Sequence, residues 1–219
     1  MTAEITSKMQ DQLNLSALVL MNNYKKADLN SWYGFDIEDH LQLKNVERIA
    51  KLHGILSGVH LRNSLHRYET GEMASNPFEK LAMELLNDTT NSFEAKFNAI
   101  KNPTSKNAYK LVWRYRFSLK DQKLYGYEFA YYVFLMRIGG ALGFIKPEEI
   151  AMRLEDVDTR MKKTFSSWGE FHRNVCIGDE FIRGASEPDI SKYPGTETLW
   201  ECYQRLNIHH ADRFKEWNI

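Results

Sequence analysis

Apolar residues recur three and four positions apart along most of the chain, the spacing of an α-helix that buries one face. The pattern predicts a first helix over residues 4–21. A polar connector follows over residues 22–35, carrying Asn22, Asn23, Asn30, Ser31 and Gly34. Asp36 is placed to cap the next helix, with Asp39 in its first turn favouring the positive end of the helix dipole. Its apolar stripe is Leu43, Val46 and Ala50. Gly54 and Gly58 weaken that helix and can split it in two. Leu61, Leu65 and Tyr68 carry a second stripe to a loop at Gly71. Asn76-Pro77-Phe78-Glu79 has the form of a helix start: Asn caps, Pro takes the first position, and Glu stands three beyond the cap. A helix is predicted from there to about Ile100, ended by Asn102-Pro103.

Residues 106–120 fit two periods. Lys106, Lys110 and Arg114 recur every four residues, as do Tyr109, Trp113 and Phe117, which is helical. Trp113, Tyr115, Phe117 and Leu119 alternate with Arg114, Arg116, Ser118 and Lys120, which is strand-like. A strand needs a partner and no second alternating run is present, so a helix is predicted. Residues 127–142 are apolar nearly all round, the mark of a helix at the centre of a domain. Its charges, Glu128 and Arg137, are nine positions apart and fall on opposite faces. They cannot pair, and each needs another partner if buried. Gly139, Gly140 and Gly143 permit close backbone approach, and Gly143 suits a helix end. Pro147 opens a helix with stripe Ile150, Leu154, Val157 and Met161. Ser167-Trp168-Gly169-Glu170 matches a capping box for a helix burying Trp168, Phe171 and Val175 and ending at Gly184. Residues 184–196 form a connector rich in Pro and Gly. A last helix is predicted from about Glu197 to Leu206, with Phe214 and Trp217 docking back on the body. The fold class is therefore all-α: one compact domain over residues 1–219, with seven or eight helices around the central apolar helix at about 127–142.

Composition agrees with a globular chain. In 219 residues, 43% are hydrophobic and 26% charged, which argues against disorder. Lys plus Arg equals Asp plus Glu at 29 each, so only a local patch, not net charge, can attract nucleic acid or a membrane surface. Cys176 and Cys202 are too few for a disulfide framework and are read as reduced core thiols. Acidic residues precede a short apolar run at the N-terminus, which is not the order of a signal peptide. The longest apolar run, Phe129 to Met136, is far too short to span a membrane. A cytoplasmic protein is expected.

The stretch 126–184 resembles a bacterial family known as domain of unknown function 1266. Matching positions are Tyr127, Glu128, Arg137, the Gly143-Phe144-Ile145 step, Phe165, Ser167, Trp168, Glu170, Phe171 and Gly178. The chain departs from the family pattern at several points. Glu128 stands where Asp is favoured, Tyr131 where an arginine is expected, and Gly169 in place of a glutamate. Asp179 and Ile182 replace Arg and Trp after Gly178. The resemblance implies a helical fold and a bacterial origin. It supplies no reaction, and the missing arginines weigh against a charge-based family role here.

Candidate chemistry is sparse. His53 and His60 are seven positions apart, about 10 Å along one helix face, too far to share an ion unaided. His40 and His66, and the pair His209-His210, show no ligand spacing either, so no metal and no cofactor is expected. Cys176 lies one turn after His172, which reads as a core thiol beside a surface histidine. The Gly139-Gly140 cluster follows a helical pattern and lacks the strand that a dinucleotide loop requires. The basic–aromatic segment is the strongest candidate. Six basic residues lie from Lys106 to Lys123 against one acid, Asp121, and Lys106, Lys110, Trp113, Arg114 and Arg116 are the predicted binding residues. The plain alternative is an amphipathic helix with its aromatics in the core and its cations paired with Glu148, Glu149, Glu155 or Asp158. The expected function is non-catalytic protein–protein interaction, for example by an immunity or accessory protein that neutralises a toxin. An enzyme with a buried acid–base residue at Glu128, or at Arg137, is one alternative. A nucleic-acid binder using residues 106–123 is another.

Overall fold

A computed structural model describes residues 5–119, 121–184 and 198–217. Its described residues form eleven α-helices and one short 3₁₀ turn, with no strand. This exceeds the seven or eight helices predicted, because the chain breaks at Leu15-Ser16, at Gly54 and before Thr89.

The predicted helix 4–21 is two helices, α1 (Ser7–Asn14) and α2 (Ala17–Asn23). The break lies at Leu15-Ser16, where the Ser16 hydroxyl donates to the Leu13 carbonyl and draws the chain out of the helical ladder. α3 (His40–Leu52) is capped by Asp39, whose Oδ1 accepts from the amides of Leu41 and Gln42. Asp36 does not cap this helix; it accepts the Glu38 amide in the preceding turn. Gly54 adopts a positive φ of 71°, ends α3, and leaves α4 (Gly58–Glu69) as a separate helix burying Leu61, Leu65 and Tyr68.

The helix predicted from Asn76 to Ile100 is α5 (Ser75–Glu84) and α6 (Thr90–Ala99). Thr89 caps α6 by accepting the Ser92 amide at 3.3 Å. Asn76 is not the cap of α5. Its side chain donates to the Thr70 carbonyl, and α5 begins at Ser75, two residues before the predicted first position, with no local side-chain cap. α7 (Pro103–Tyr115) takes Asn102 as its cap and Pro103 at its first position, so the ambiguous segment is helix as far as Tyr115, and residues 116–119 are turn.

α8 (Tyr125–Ala141) is the axis of the molecule, and every residue from Gly126 to Gly140 is buried. It packs against α2, α3, α4, α9 (Pro147–Thr164) and α10 (Trp168–Gly184). Gly139 lies against Leu61 and Gly140 against Tyr33 and Ile150, so added side chains would clash there. The Ser167 hydroxyl accepts the Glu170 amide as predicted, but Glu170 returns its carboxylate to Ser166, one residue outside the expected box. α11 (Leu199–His209) opens with a complete capping box from Thr198 and Glu201, so it starts and ends later than predicted. The connector at 184–196 lies almost entirely outside the described residues. Phe214 and Trp217 dock on Trp168, with ring centroids 5.1 and 4.7 Å from its own, and the Trp168 indole donates to the Glu216 carbonyl. Among the described residues no helix is long and apolar enough to cross a membrane.

Candidate functional site

The helical turn of α7 divides the basic–aromatic segment into two faces. Tyr109 and Trp113 point inward and stack on Phe93 of α6, with centroids 5.3 and 4.3 Å away. The third member of that row, Phe117, lies beyond the helix end and is 64% exposed. Arg116 bridges the change. Its guanidinium carbon sits 3.4 Å from the Trp113 centroid and 4.3 Å from that of Phe117, and it donates to the Trp113 carbonyl. Trp113 is therefore covered by a ring and by a guanidinium. Lys106 lies 4.6 Å from the Phe97 ring.

Lys110 and Arg114 are exposed, and the described residues offer neither a carboxylate partner. Of the four carboxylates expected to neutralise this row, Glu148 forms no ion pair among the described residues and the other three are occupied elsewhere. Glu149 pairs with Arg153, Glu155 with Lys8, and Asp158 with Lys8 and Lys162. Lys123, at the end of the segment, pairs with Glu79 at 2.7 Å. Lys120 lies outside the described residues.

A cleft of about 420 Å³ runs between the end of α7 with its following turn and the first half of α10. Tyr115, Leu119 and Ile177 are its buried apolar residues, and Ser118, Ser166 and Ser167 are its exposed hydroxyls. Arg173 of α10 reaches across to Tyr115, with its guanidinium carbon 6.0 Å from the ring centroid. Arg114 approaches the same ring at 5.3 Å. Two arginines from different helices thus share one tyrosine. Glu170 lines the cleft too, but its oxygens accept from Ser166 and from Gln122. Those bonds hold its carboxyl below the ordinary range against the cost of burial. A smaller cleft of about 280 Å³ is lined by Glu69, Tyr125, Phe129, Arg160 and Lys163 among others.

The buried polar candidates serve packing. Glu128 is fully buried, and its Oε1 accepts from the amides of Ala74 at 2.6 Å and Ser75 at 2.9 Å. It is the missing cap of α5, supplied from another helix. Desolvation pushes its carboxyl up to about 7, against the pull of those amides. Its Oε2 and the Ser75 hydroxyl are buried without a hydrogen-bond partner. Arg137, also fully buried, donates to the carbonyls of Leu13, Asp28 and Ser31 and to the Ser16 hydroxyl. With no carboxylate in hydrogen-bond contact, burial lowers its guanidinium to about 9. Neither residue lines either cleft. The two are well apart, as their nine-residue separation requires.

His172 is a correction. It is 1% exposed, enclosed by the rings of Trp168, Phe171, Tyr203 and Phe214, and held at about pKa 3 by burial. Cys176 and Cys202 are free and buried, and burial raises the Cys176 thiol. Among the described residues no three His, Cys, Asp or Glu side chains converge to hold a metal.

The sequence pattern missed Tyr115, Arg173 and the cleft. Arg173 lies on a different helix from Arg114, and no local periodicity links the two. The alternation around Tyr115 was visible, but as a strand signal.

Residues 34–218 match a family described as "Protein of unknown function (DUF1266)", and the chain belongs to that family. The match is far wider than the stretch that carried the resemblance. No curated protein and no solved structure matches.

Proposed function

We propose that this member of the family is a non-catalytic protein-binding domain, which engages an acidic partner surface through the outer face of α7. The observation that supports this reading is the pair of exposed cations, Lys110 and Arg114, without a carboxylate partner among the described residues, on the helix that leads into the exposed ring of Phe117. An apolar anchor flanked by cations suits a protein surface, where the ring is desolvated and the charges steer the approach. Single-stranded nucleic acid would need open ring faces for its bases to stack on. Trp113 has Phe93 on it at 4.3 Å and Arg116 at 3.4 Å, which favours a protein over a nucleic acid. Glu128 spends one oxygen on two amides, and that weighs against an acid–base role.

An immunity or accessory protein that occupies a toxin, in a bacterial cytoplasm, is one form of such binding. The reduced thiols Cys176 and Cys202 suit that compartment. The test is a photo-crosslinking amino acid placed at Phe117 and, as a control, at Ile208, which is 75% exposed on α11. One protein crosslinked from Phe117 alone, and no longer crosslinked when Lys110→Glu is introduced, is the expected result. Equal labelling at both positions, or crosslinks to nucleic acid, would overturn the reading.

A further inference from the structure

We propose that Arg114 and Arg173 form a carboxylate fork at the cleft between α7 and α10, and that the segment bound there carries acidic side chains beside an apolar anchor. This rests on the protein-binding reading and names the chemistry of the partner.

Four observations point to it. Two guanidinium carbons from different helices lie 5.3 Å (Arg114) and 6.0 Å (Arg173) from the centroid of the one Tyr115 ring; Arg173 and Tyr115 line the cleft, and Arg114 adjoins it through that ring. Like charges brought together raise the local potential, and neither arginine has a carboxylate partner among the described residues. Among the lining residues the carboxylate is that of Glu170, and its oxygens are already taken by Ser166 and Gln122. The cleft itself has an apolar floor of Tyr115, Leu119 and Ile177 under a rim of hydroxyls.

A planar guanidinium stacked on an aromatic ring keeps its edge N–H groups free, and those match the two oxygens of a carboxylate. The ring contact narrows the positions open to each guanidinium before a ligand arrives, which reduces the side-chain entropy lost on binding. The floor accepts an aliphatic or aromatic side chain at the same time. The occupant is thus a protein segment in which acidic and apolar residues alternate.

The experiment is fluorescence anisotropy with the full chain and a short fluorescein-labelled peptide of alternating glutamate and leucine. A lysine–leucine peptide and an oligothymidylate serve as comparison probes. The expected result is binding of the acidic peptide alone. It should weaken roughly tenfold or more in the Arg114→Glu, Arg173→Glu double variant, the size of one or two lost charge-assisted hydrogen bonds. Arg173→Lys should restore only part of the affinity, because an ammonium lacks the fork. Lys163→Glu, in the other cleft, should change nothing. Both arginines are exposed, and if the double variant fails to fold, Arg173→Gln alone carries the comparison. No binding of the acidic peptide overturns the proposal, and so does binding indifferent to the double variant. Preference for the oligothymidylate also overturns it. If Lys110→Glu with Phe117→Ser abolishes binding while the arginine variants do not, the fork falls and the protein-binding face stands. If no variant matters, both fall.

Discussion

Gly178 of α10 lies directly against Tyr127 of α8: a methyl group added at Gly178 would overlap the Cβ of Tyr127. The obstacle is the root of a side chain and not its flexible end, so relief requires the helices to separate. Gly178→Ala should therefore destabilise the fold by about 1–3 kcal/mol, the usual cost of overpacking. Urea unfolding checks this. A variant as stable as the parent would mean that the two helices slide apart without penalty.

Glu128 should make stability depend on pH. Its folded-state carboxyl is raised from 4.5 to about 7, so the folded protein holds a proton that the unfolded chain has released. That contribution is complete below the ordinary value of 4.5 and is lost as pH rises through 7. A tenfold change in proton affinity is worth about 1.4 kcal/mol, so the loss is on the order of 3 kcal/mol. Glu128→Gln retains an oxygen for the Ala74 and Ser75 amides but cannot ionise. Relative to the parent, it should gain stability between about pH 5 and about pH 8. A difference between the two proteins that is the same at both pH values would contradict the assignment. Comparing variant with parent cancels the other titrating groups, including His53, whose pKa burial lowers, and Asp179, whose pKa burial raises.

Arg137 fastens the N-terminal helices to the central one. Its four acceptors all belong to residues 13–31, which precede the family match, whereas Arg137 lies within it. Arg137→Met should cost about 3–5 kcal/mol, because it leaves buried carbonyls at Leu13 and Ser31 without donors. Arg137→Lys should rescue little, since one ammonium cannot span acceptors arranged for a planar fork. Hydrogen exchange should show the amides of α1 and α2 losing protection first. Uniform loss across all helices would mean that the N-terminal pair is not separately held.

Much of the fold was legible because it is written locally. The apolar run of α8 and the stripe from Ile150 to Met161 each carry their own signal over a few residues, whereas Asn102-Pro103, read as a helix stop, also starts α7. The errors came where a distant residue did a local job. Asn76-Pro77-Phe78-Glu79 has the form of a helix start, but Glu128 caps that helix from 53 residues away, and Asn76 turns back to Thr70. Thr89 was a usable cap signal submerged in an otherwise helical window. The cleft was not legible, because the sharing of Tyr115 by Arg114 and Arg173 exists only once α7 and α10 have packed. The alternation about Tyr115 marks the place where α7 ends and its row of aromatics passes from core to solvent.

The C-terminal tail seals His172, and opening it should be readable from that one side chain. Phe214 meets the imidazole edge-on at 5.0 Å, Tyr203 lies at 5.5 Å and Trp168 at 5.4 Å, so water is kept from the ring. Burial lowers its pKa to about 3, and its Nε2 has no hydrogen-bond partner. The unfolded chain takes a proton near 6.5 that the folded protein refuses, so this histidine favours folding above 6.5 and costs stability as pH falls below it. Phe214→Ala removes one wall and admits water. The His172 pKa should then rise toward 6.5, and the acid limb of the stability profile should become shallower even though the protein is less stable at neutral pH. NMR titration of the histidine ring protons measures the first effect, and urea unfolding across the acid range measures the second. A His172 that stays neutral to the same low pH in Phe214→Ala would show that Trp168, Phe171 and Tyr203 suffice to exclude water.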